Sequence, residues 1–362
     1  MSPERETIMP CRPAISSHSL GRAWVHGLPK KLDQAAKYGF DIELFYEDLV
    51  YVAKELPGGA VPENLSAAAH IIHSLCDERG ISIVCLQPFM HYEGLRDRRK
   101  HAKRVEEMKL WIRMATILDT QIIAIPSTFL SREKASGDLS VVVADMREVA
   151  DLAAPHGIKL AYESLAWGTY VDTWEQCWNV VQLVDRSNFG ICLDTFNIAA
   201  RIYADPASAT RRTTSAEADT KASLRRMVST LSAEKIFFVQ VVDAEYLDEP
   251  LVEGHPYYVA GQSARMSWSR NCRLFYGEQE RGAYLPIKAI LSAILIDVGF
   301  EGWVSAELFN KSLADSDPSV PQQHAKRAAV AWEKIVMDFH LAAASKGHAV
   351  VAGGAERLRA QL

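Results

Sequence analysis

Four short apolar runs of this chain each end in one oxygen-bearing side chain able to hold a metal: IKLAYES at Glu163, FGICLDTFN at Asp194, KIFFVQVVD at Gln240 and GWVSAELF at Glu307. A buried strand favours Val, Ile, Leu and Phe, so a carboxylate at its end is unfavourable unless something pairs with it. Three carboxylates brought together repel strongly. A divalent cation relieves that repulsion, and an all-oxygen donor set suits Mg2+ or Mn2+ better than Zn2+. The competing reading of any one of these residues is a helix cap or an arginine partner. Four in register with consecutive strands favour the metal site, because caps need no such phase.

Apolar runs of strand length alternate with helical periods from near residue 14 to near residue 343. Strands are expected at 14–21, 41–46, 81–88, 121–129, 158–164, 190–197, 235–243 and 302–309. In the second, alternation puts Ile42, Leu44 and Tyr46 on one face and Asp41, Glu43 and Phe45 on the other. Helices are expected at 28–38, 65–80, 101–119, 139–156, 223–232, 286–298 and 322–343, and one opens at an N-cap Thr173. The helix at 101–119 carries Val105, Met108, Ile112, Ala115 and Leu118 in steps of three and four, which marks one buried face. The stretch 201–222 reads as polar and irregular, and a long excursion fills 244–282.

Eight strand–helix pairs with near-continuous apolar strands predict an α/β fold, a closed (β/α)8 TIM barrel with a long insertion after strand seven. No Gly-rich dinucleotide fingerprint follows the first strand, which counts against a doubly wound sheet. One domain is expected over 1–362, with its core at about 12–343 and peripheral termini. In such a barrel the active site lies at the C-terminal ends of the strands, where Glu163, Asp194, Gln240 and Glu307 fall on strands five to eight.

The net charge of −5 over 362 residues argues against a nucleic-acid or anionic-membrane partner. Cysteines 11, 76, 85, 177, 192 and 272 form no C-x-x-C pair and read as reduced core thiols. The start MSPERETIMPCRP does not read as a secretory signal, and no run approaches the ~20 apolar residues of a membrane span. A cytoplasmic protein acting on a small molecule is expected.

The ends YES, LDTFN, VQVVD and AELF resemble those of the xylose-isomerase-like TIM barrels, the sugar isomerase/epimerase superfamily. Within it, PAISSHSLG, IELFYEDL, LQPFMHYEGL and WSRNCRLFYGE with AYLP resemble the fungal 3-dehydroshikimate dehydratases, over roughly residues 10–343. The resemblance implies a hydro-lyase that converts 3-dehydroshikimate to protocatechuate and water in quinate and shikimate catabolism. The substrate is a β-hydroxy ketone with a ring carboxylate, and a metal at the ketone oxygen acts as a Lewis acid. The carboxylate calls for a cation, and the loop after strand seven supplies Arg265, Arg270 and Arg273. By match to the family's S-R-N-x-R pattern, Ser269 and Arg273 are the expected substrate contacts, joined by Gln87, Tyr92, Trp167 and Asn197.

Many members of the superfamily carry a His three residues after the strand-six Asp. Asn197 stands there in this chain and cannot serve as a base. His18, His91 and Glu43 remain as candidate bases, and the sequence does not choose among them. A sugar isomerase or epimerase is the nearest rival, disfavoured because a neutral sugar needs no arginine-bearing loop. A non-catalytic ligand-binding barrel and an endonuclease-IV-like repair enzyme are further rivals. The latter needs His-rich metal sites and a basic groove, which the four ends and the acidic charge oppose. The sequence leaves homo-oligomerisation open.

Overall fold

The structure, a computed structural model, describes residues 11–341, so the expectations for the two termini fall outside it. Eight strands form the barrel: β1 (Cys11–Ser16), β2 (Asp41–Phe45), β3 (Ile83–Gln87), β4 (Ile122–Pro126), β5 (Lys159–Glu163), β6 (Phe189–Asp194), β7 (Ile236–Gln240) and β8 (Gly302–Ala306). Each pairs in parallel with its neighbours, and β8 closes the ring by pairing with both β7 and β1. The chain is thus a closed eight-stranded α/β barrel.

Strand periodicity divides the core into two layers. Leu160 and Tyr162 of β5, Ile191 and Leu193 of β6, Val239 of β7 and Val304 of β8 belong to the large apolar layer beneath the helices. Ala161, Cys192 and Phe238 belong instead to the small cluster inside the barrel. Two residues further on, the same inward face carries Glu163, Asp194 and Gln240, and Ser305 leads likewise to Glu307. The site is therefore the top layer of the barrel interior, in phase with small or apolar residues below it.

Local sequence sets the helix ends. Thr173 and Gln176 form a reciprocal capping box that opens the helix Trp174–Val184. Gly39 (φ 76°) and Gly157 (φ 68°) take the left-handed conformation that stops the preceding turns. On the helix Arg98–Ile117, Met108, Ile112 and Ala115 are buried as the period requires.

Several boundaries differ from the sequence reading. The first strand starts earlier and yields to a 3-10 turn at Ser17–Leu20, because Ser17 is drawn into hydrogen bonds with Asp48 and the amide of Phe45. β6 stops at Asp194, whose side chain caps the helix Thr195–Ile202, so Asn197 lies on a helix. A helix at Tyr46–Lys54 follows β2 directly, and the helix expected at 223–232 spans Ala216–Thr230. The helix expected at 286–298 is α-helical over Ile287–Leu291 and continues as a π-helix over Ser292–Asp297. All six cysteines are buried and unpaired. Among the described residues no helix is long and apolar enough to cross a membrane.

The segment between β7 and β8 reaches back over the barrel mouth. Asp243–Ala244 pairs antiparallel with Arg273–Leu274, and the helix Ala264–Cys272 sits between them. That helix is held by Arg265, which donates to the carbonyls of Ala200 and Ala204, and by Trp268, which donates to the carbonyl of Glu245. The 201–222 stretch is anchored to the same segment by buried Arg211, which donates to the Leu247 carbonyl.

Candidate metal centre and active site

Glu163, Asp194 and Glu307 are all buried, and one oxygen from each lies within 4.8 Å of the others. Each is aimed by neighbours. Asn197 Nδ2 donates to Glu163 Oε1 (2.8 Å) and to Asp194 Oδ2 (2.7 Å), while its Oδ1 accepts from the amide of Ala166 (3.0 Å). Gln87 Nε2 donates to Glu307 Oε1 at 2.9 Å. Asp194 divides its oxygens: Oδ1 accepts from the amides of Phe196 and Asn197, leaving Oδ2 to the cluster.

Arg273 is the cation inside this group. Its Nη1 donates to Asp194 Oδ2 and Glu307 Oε2, both at 2.9 Å, and its Nε donates to Ser269 Oγ at 2.9 Å. The guanidinium sits over the rings of Phe196 and Phe309. A helix cap and an arginine partner are thus both present, in addition to the convergence of the three carboxylates. Burial disfavours the guanidinium charge, but Asp194, Glu307 and Glu163 outweigh it and hold the Arg273 pKa above its ordinary value. Burial, then repulsion from Asp194, raises Glu163 well above the carboxylate range. Burial does the same for Glu307, where Arg273 compensates only in part.

Gln240 is fully buried beside Glu43. Its Nε2 donates to Glu43 Oε1 at 2.5 Å, and its Oε1 accepts from the Cys192 thiol at 3.5 Å. Ser305 Oγ donates to the other oxygen of Glu43. Burial pushes Glu43 up to about 7, against the pull of these two donors. The donor set fits a hard divalent cation: three buried carboxylates crowded together, and an amide whose nitrogen is already engaged, so that its oxygen is the donor it could offer.

A cavity of about 110 Å3 opens beside this cluster. Glu163, Glu307, Gln87, Ser269 and Arg273 line it on the polar side; Phe45, Met90, Phe129, Trp167 and Phe309 form apolar walls. A larger hollow of about 810 Å3 lies at the other end of the strands, among Arg12, Val84, Lys159, Phe237 and Trp303, away from the three carboxylates.

Not every expected residue reaches the cavity. Tyr92 is fully buried and its hydroxyl donates to Glu148 Oε2, so it faces the helix Leu139–Ala153 rather than the cavity, a correction to its expected substrate contact. His18 is buried between Phe45 and Phe309, both at 4.5 Å, and its Nε2 meets Arg22 Nη1. Burial, then Arg22, Lys31 and Arg273, lowers its pKa well below the ordinary value. His91 is half-buried against Phe129, with Nδ1 at 3.2 Å from Thr128 Oγ1, and burial lowers it to about 4. Glu43 is held by Gln240 and Ser305. None of these three is among the residues lining the cavity.

The sequence reading named Trp167 but missed the other aromatic walls, Phe45, Phe129 and Phe309, and the buttress Glu93. The signal for the walls was available: Phe45 ends β2, and Phe129 and Phe309 lie just past the ends of β4 and β8. Glu93 is buried, and its Oε1 accepts from the Thr128 amide (2.6 Å) and the Tyr162 hydroxyl (3.1 Å). Its polar context is set by residues distant in sequence, so no local pattern marks it.

The model of one family, described as xylose isomerase-like TIM barrel, matches residues 32–334. The chain is 53% identical over 343 residues to a 3-dehydroshikimate dehydratase of Neurospora crassa, covering 92% of this chain and 96% of that one. It is 29% identical over 284 residues to a 3-dehydroshikimate dehydratase of Pseudomonas aeruginosa, covering 78% of this chain but 36% of that longer one. A crystal structure of the IolI protein with a bound zinc atom superposes with a TM-score of 0.64 at 19% identity, over 91% of this chain and 99% of that one, a likeness of fold.

Proposed function

Since the chain belongs to the xylose isomerase-like TIM barrel family, we infer that it is a 3-dehydroshikimate dehydratase, a hydro-lyase that forms protocatechuate and water. The near-full-length likeness to the Neurospora enzyme carries this reading. The reaction removes a ring proton and the β-hydroxyl of a hydroxy ketone, after which enolisation gives the aromatic ring. A divalent ion, which we assign as Mg2+ or Mn2+, would be held by Glu163, Asp194, Gln240 and Glu307 and supplies Lewis-acid polarisation of the ketone.

The chain's own residues supply aim, charge and dryness. Gln87 orients Glu307, and Asn197 orients Glu163 and Asp194 together, which makes Asn197 a clamp rather than a base. Glu43 holds the Gln240 amide nitrogen, so the amide oxygen is the atom that would serve as a ligand. Ser269 and Arg273 offer polar groups to substrate oxygens, and Trp167 closes the cavity with a ring nitrogen that has no partner in the structure. The aromatic walls exclude water, which strengthens each polar contact. Of the candidate bases, His91 fits best by position: its neighbours Met90 and Phe129 line the cavity, and burial, which lowers it to about 4, leaves it unprotonated at pH 7 though a weak base. His18 is then a neutral brace for Phe45 and Phe309.

The same reading takes the chain as one cytoplasmic domain acting in quinate and shikimate catabolism. Incubation with 3-dehydroshikimate and Mg2+, followed by ultraviolet absorbance, tests it. Growth of the protocatechuate band is expected, and a flat trace at full metal loading removes the reading.

A further inference from the structure

The cavity has two polarities, and the arginine loop is divided between them. Arg265 is a strut, its guanidinium bound to the carbonyls of Ala200 and Ala204. Arg273 faces the cluster, with its Nη1 shared between Asp194 and Glu307 and its Nε on Ser269. An incoming carboxylate at Arg273 would compete with two carboxylates already there, in a space that holds a third. Arg270 is different. It lines the cavity, donates from Nη1 to the neutral amide oxygen of Gln262 at 3.0 Å, and is paired with no carboxylate among the described residues.

Its electrostatic neighbour is another arginine. Arg270 is solvent-exposed on one side, and partial burial on the other, with the charge of Arg22, disfavours its ionised form. Arg22 itself meets the neutral His18 at 3.1 Å and stands over the ring of Trp24. Glu47 is the carboxylate that acts on Arg22, without an ion pair within reach. An arginine cannot discharge by losing its proton, so a guanidinium that lines an aromatic cavity with no carboxylate paired to it favours an anion. The planar fork of Arg270 suits a carboxylate.

We propose that Arg270 is the residue that receives the ring carboxylate of the substrate. The acidic cluster then faces the ketone side, and Arg270 fixes the opposite end. This division sets which way round the ring enters, and it excludes neutral polyols, which gain nothing from the rim. The identity of the anion rests on the dehydratase reading; the anion site itself does not.

The test compares wild type, Arg270→Ala and Arg270→Lys, each loaded with Mg2+. Calorimetry measures binding of protocatechuate and of catechol, which has the same diol but no carboxylate. Losing one charge-assisted contact should weaken protocatechuate by about 10- to 100-fold in Arg270→Ala. Catechol should bind all three proteins alike, and Arg270→Lys should recover part of the loss. In turnover, KM should rise by the same factor with kcat nearly unchanged. Unaltered protocatechuate affinity in Arg270→Ala overturns the proposal, as does an equal loss for both ligands. If the wild type forms no protocatechuate yet prefers it to catechol, and Arg270→Ala abolishes that preference, the reaction is misassigned while the anion site stands. If turnover is normal and Arg270→Ala changes nothing, the anion site alone fails.

Discussion

Glu93 offers a quantitative test of the charge placement around the barrel mouth. It is fully buried, accepts from the Thr128 amide and the Tyr162 hydroxyl through one oxygen, and leaves the other oxygen without a partner. Burial pushes its pKa from 4.5 to about 7, with the Thr128 amide pulling the other way and Asp145 adding to the rise. The folded state therefore holds a proton that the unfolded chain releases above pH 4.5. Stability from this group is complete below pH 4.5 and is lost as pH rises through 7. At ~1.36 kcal/mol per pH unit, the loss comes to about 3 kcal/mol. Glu93→Gln keeps the accepting oxygen but cannot ionise. Urea unfolding of both proteins at several pH values between about 4.5 and 8, with chelator present, isolates this contribution. Any fixed cost of the new amide group shifts the whole curve of the Glu93→Gln protein, so the informative quantity is the change between the two pH extremes. It should be smaller in Glu93→Gln than in wild type by about 3 kcal/mol. Parallel curves would refute the claim that Glu93 is buried as a neutral acid.

Chelation should abolish activity, and Mg2+ or Mn2+ should restore it; full turnover by metal-free protein would contradict the assigned chemistry. Glu163→Gln and Glu307→Gln should each lower Mn2+ affinity by at least about 100-fold in a titration while leaving the circular dichroism unchanged, because a charged ligand rather than packing is removed. Asn197→Ala removes one donor group shared by two carboxylates and strips the Ala166 amide of its acceptor. It should cost about 2–4 kcal/mol in urea unfolding and about 10- to 100-fold in Mn2+ affinity. Arg273→Ala leaves Asp194 and Glu307 without their cation and should destabilise the metal-free protein by about 3–5 kcal/mol at about pH 8. The loss should shrink at about pH 5, where protonation of the raised Glu163 and Glu307 relieves the repulsion.

The barrel was legible because its strands are apolar on both faces and its helices are periodic on one. The convergence of Glu163, Asp194 and Glu307 was legible because polar residues at the ends of such strands are costly without a purpose. The same reasoning extended strand six through Asn197, since the stretch after Asp194 suits a strand as well as a first helical turn. The Asp194 cap decides it, and whether a carboxylate caps or only ends a strand depends on backbone direction. Tyr92 was misplaced for a related reason. His91 lies at positive φ (56°), which turns the chain and sends Tyr92 outward to Glu148. The roles of the three loop arginines could not be separated by spacing, because what distinguishes them is which carbonyls and carboxylates stand opposite.

The division of labour within Asp194 bears on how this barrel could change over evolutionary time. One of its oxygens starts a helix, and the other belongs to the cluster. Glu163 and Glu307 have no helix to start, so a lineage released from catalysis would gain stability by neutralising either of them. Neutralising Asp194 would weaken the start of the helix Thr195–Ile202 at the same time. Descendants that have lost the reaction should therefore shed the two glutamates first and keep the aspartate, a fossil of the site retained for its fold.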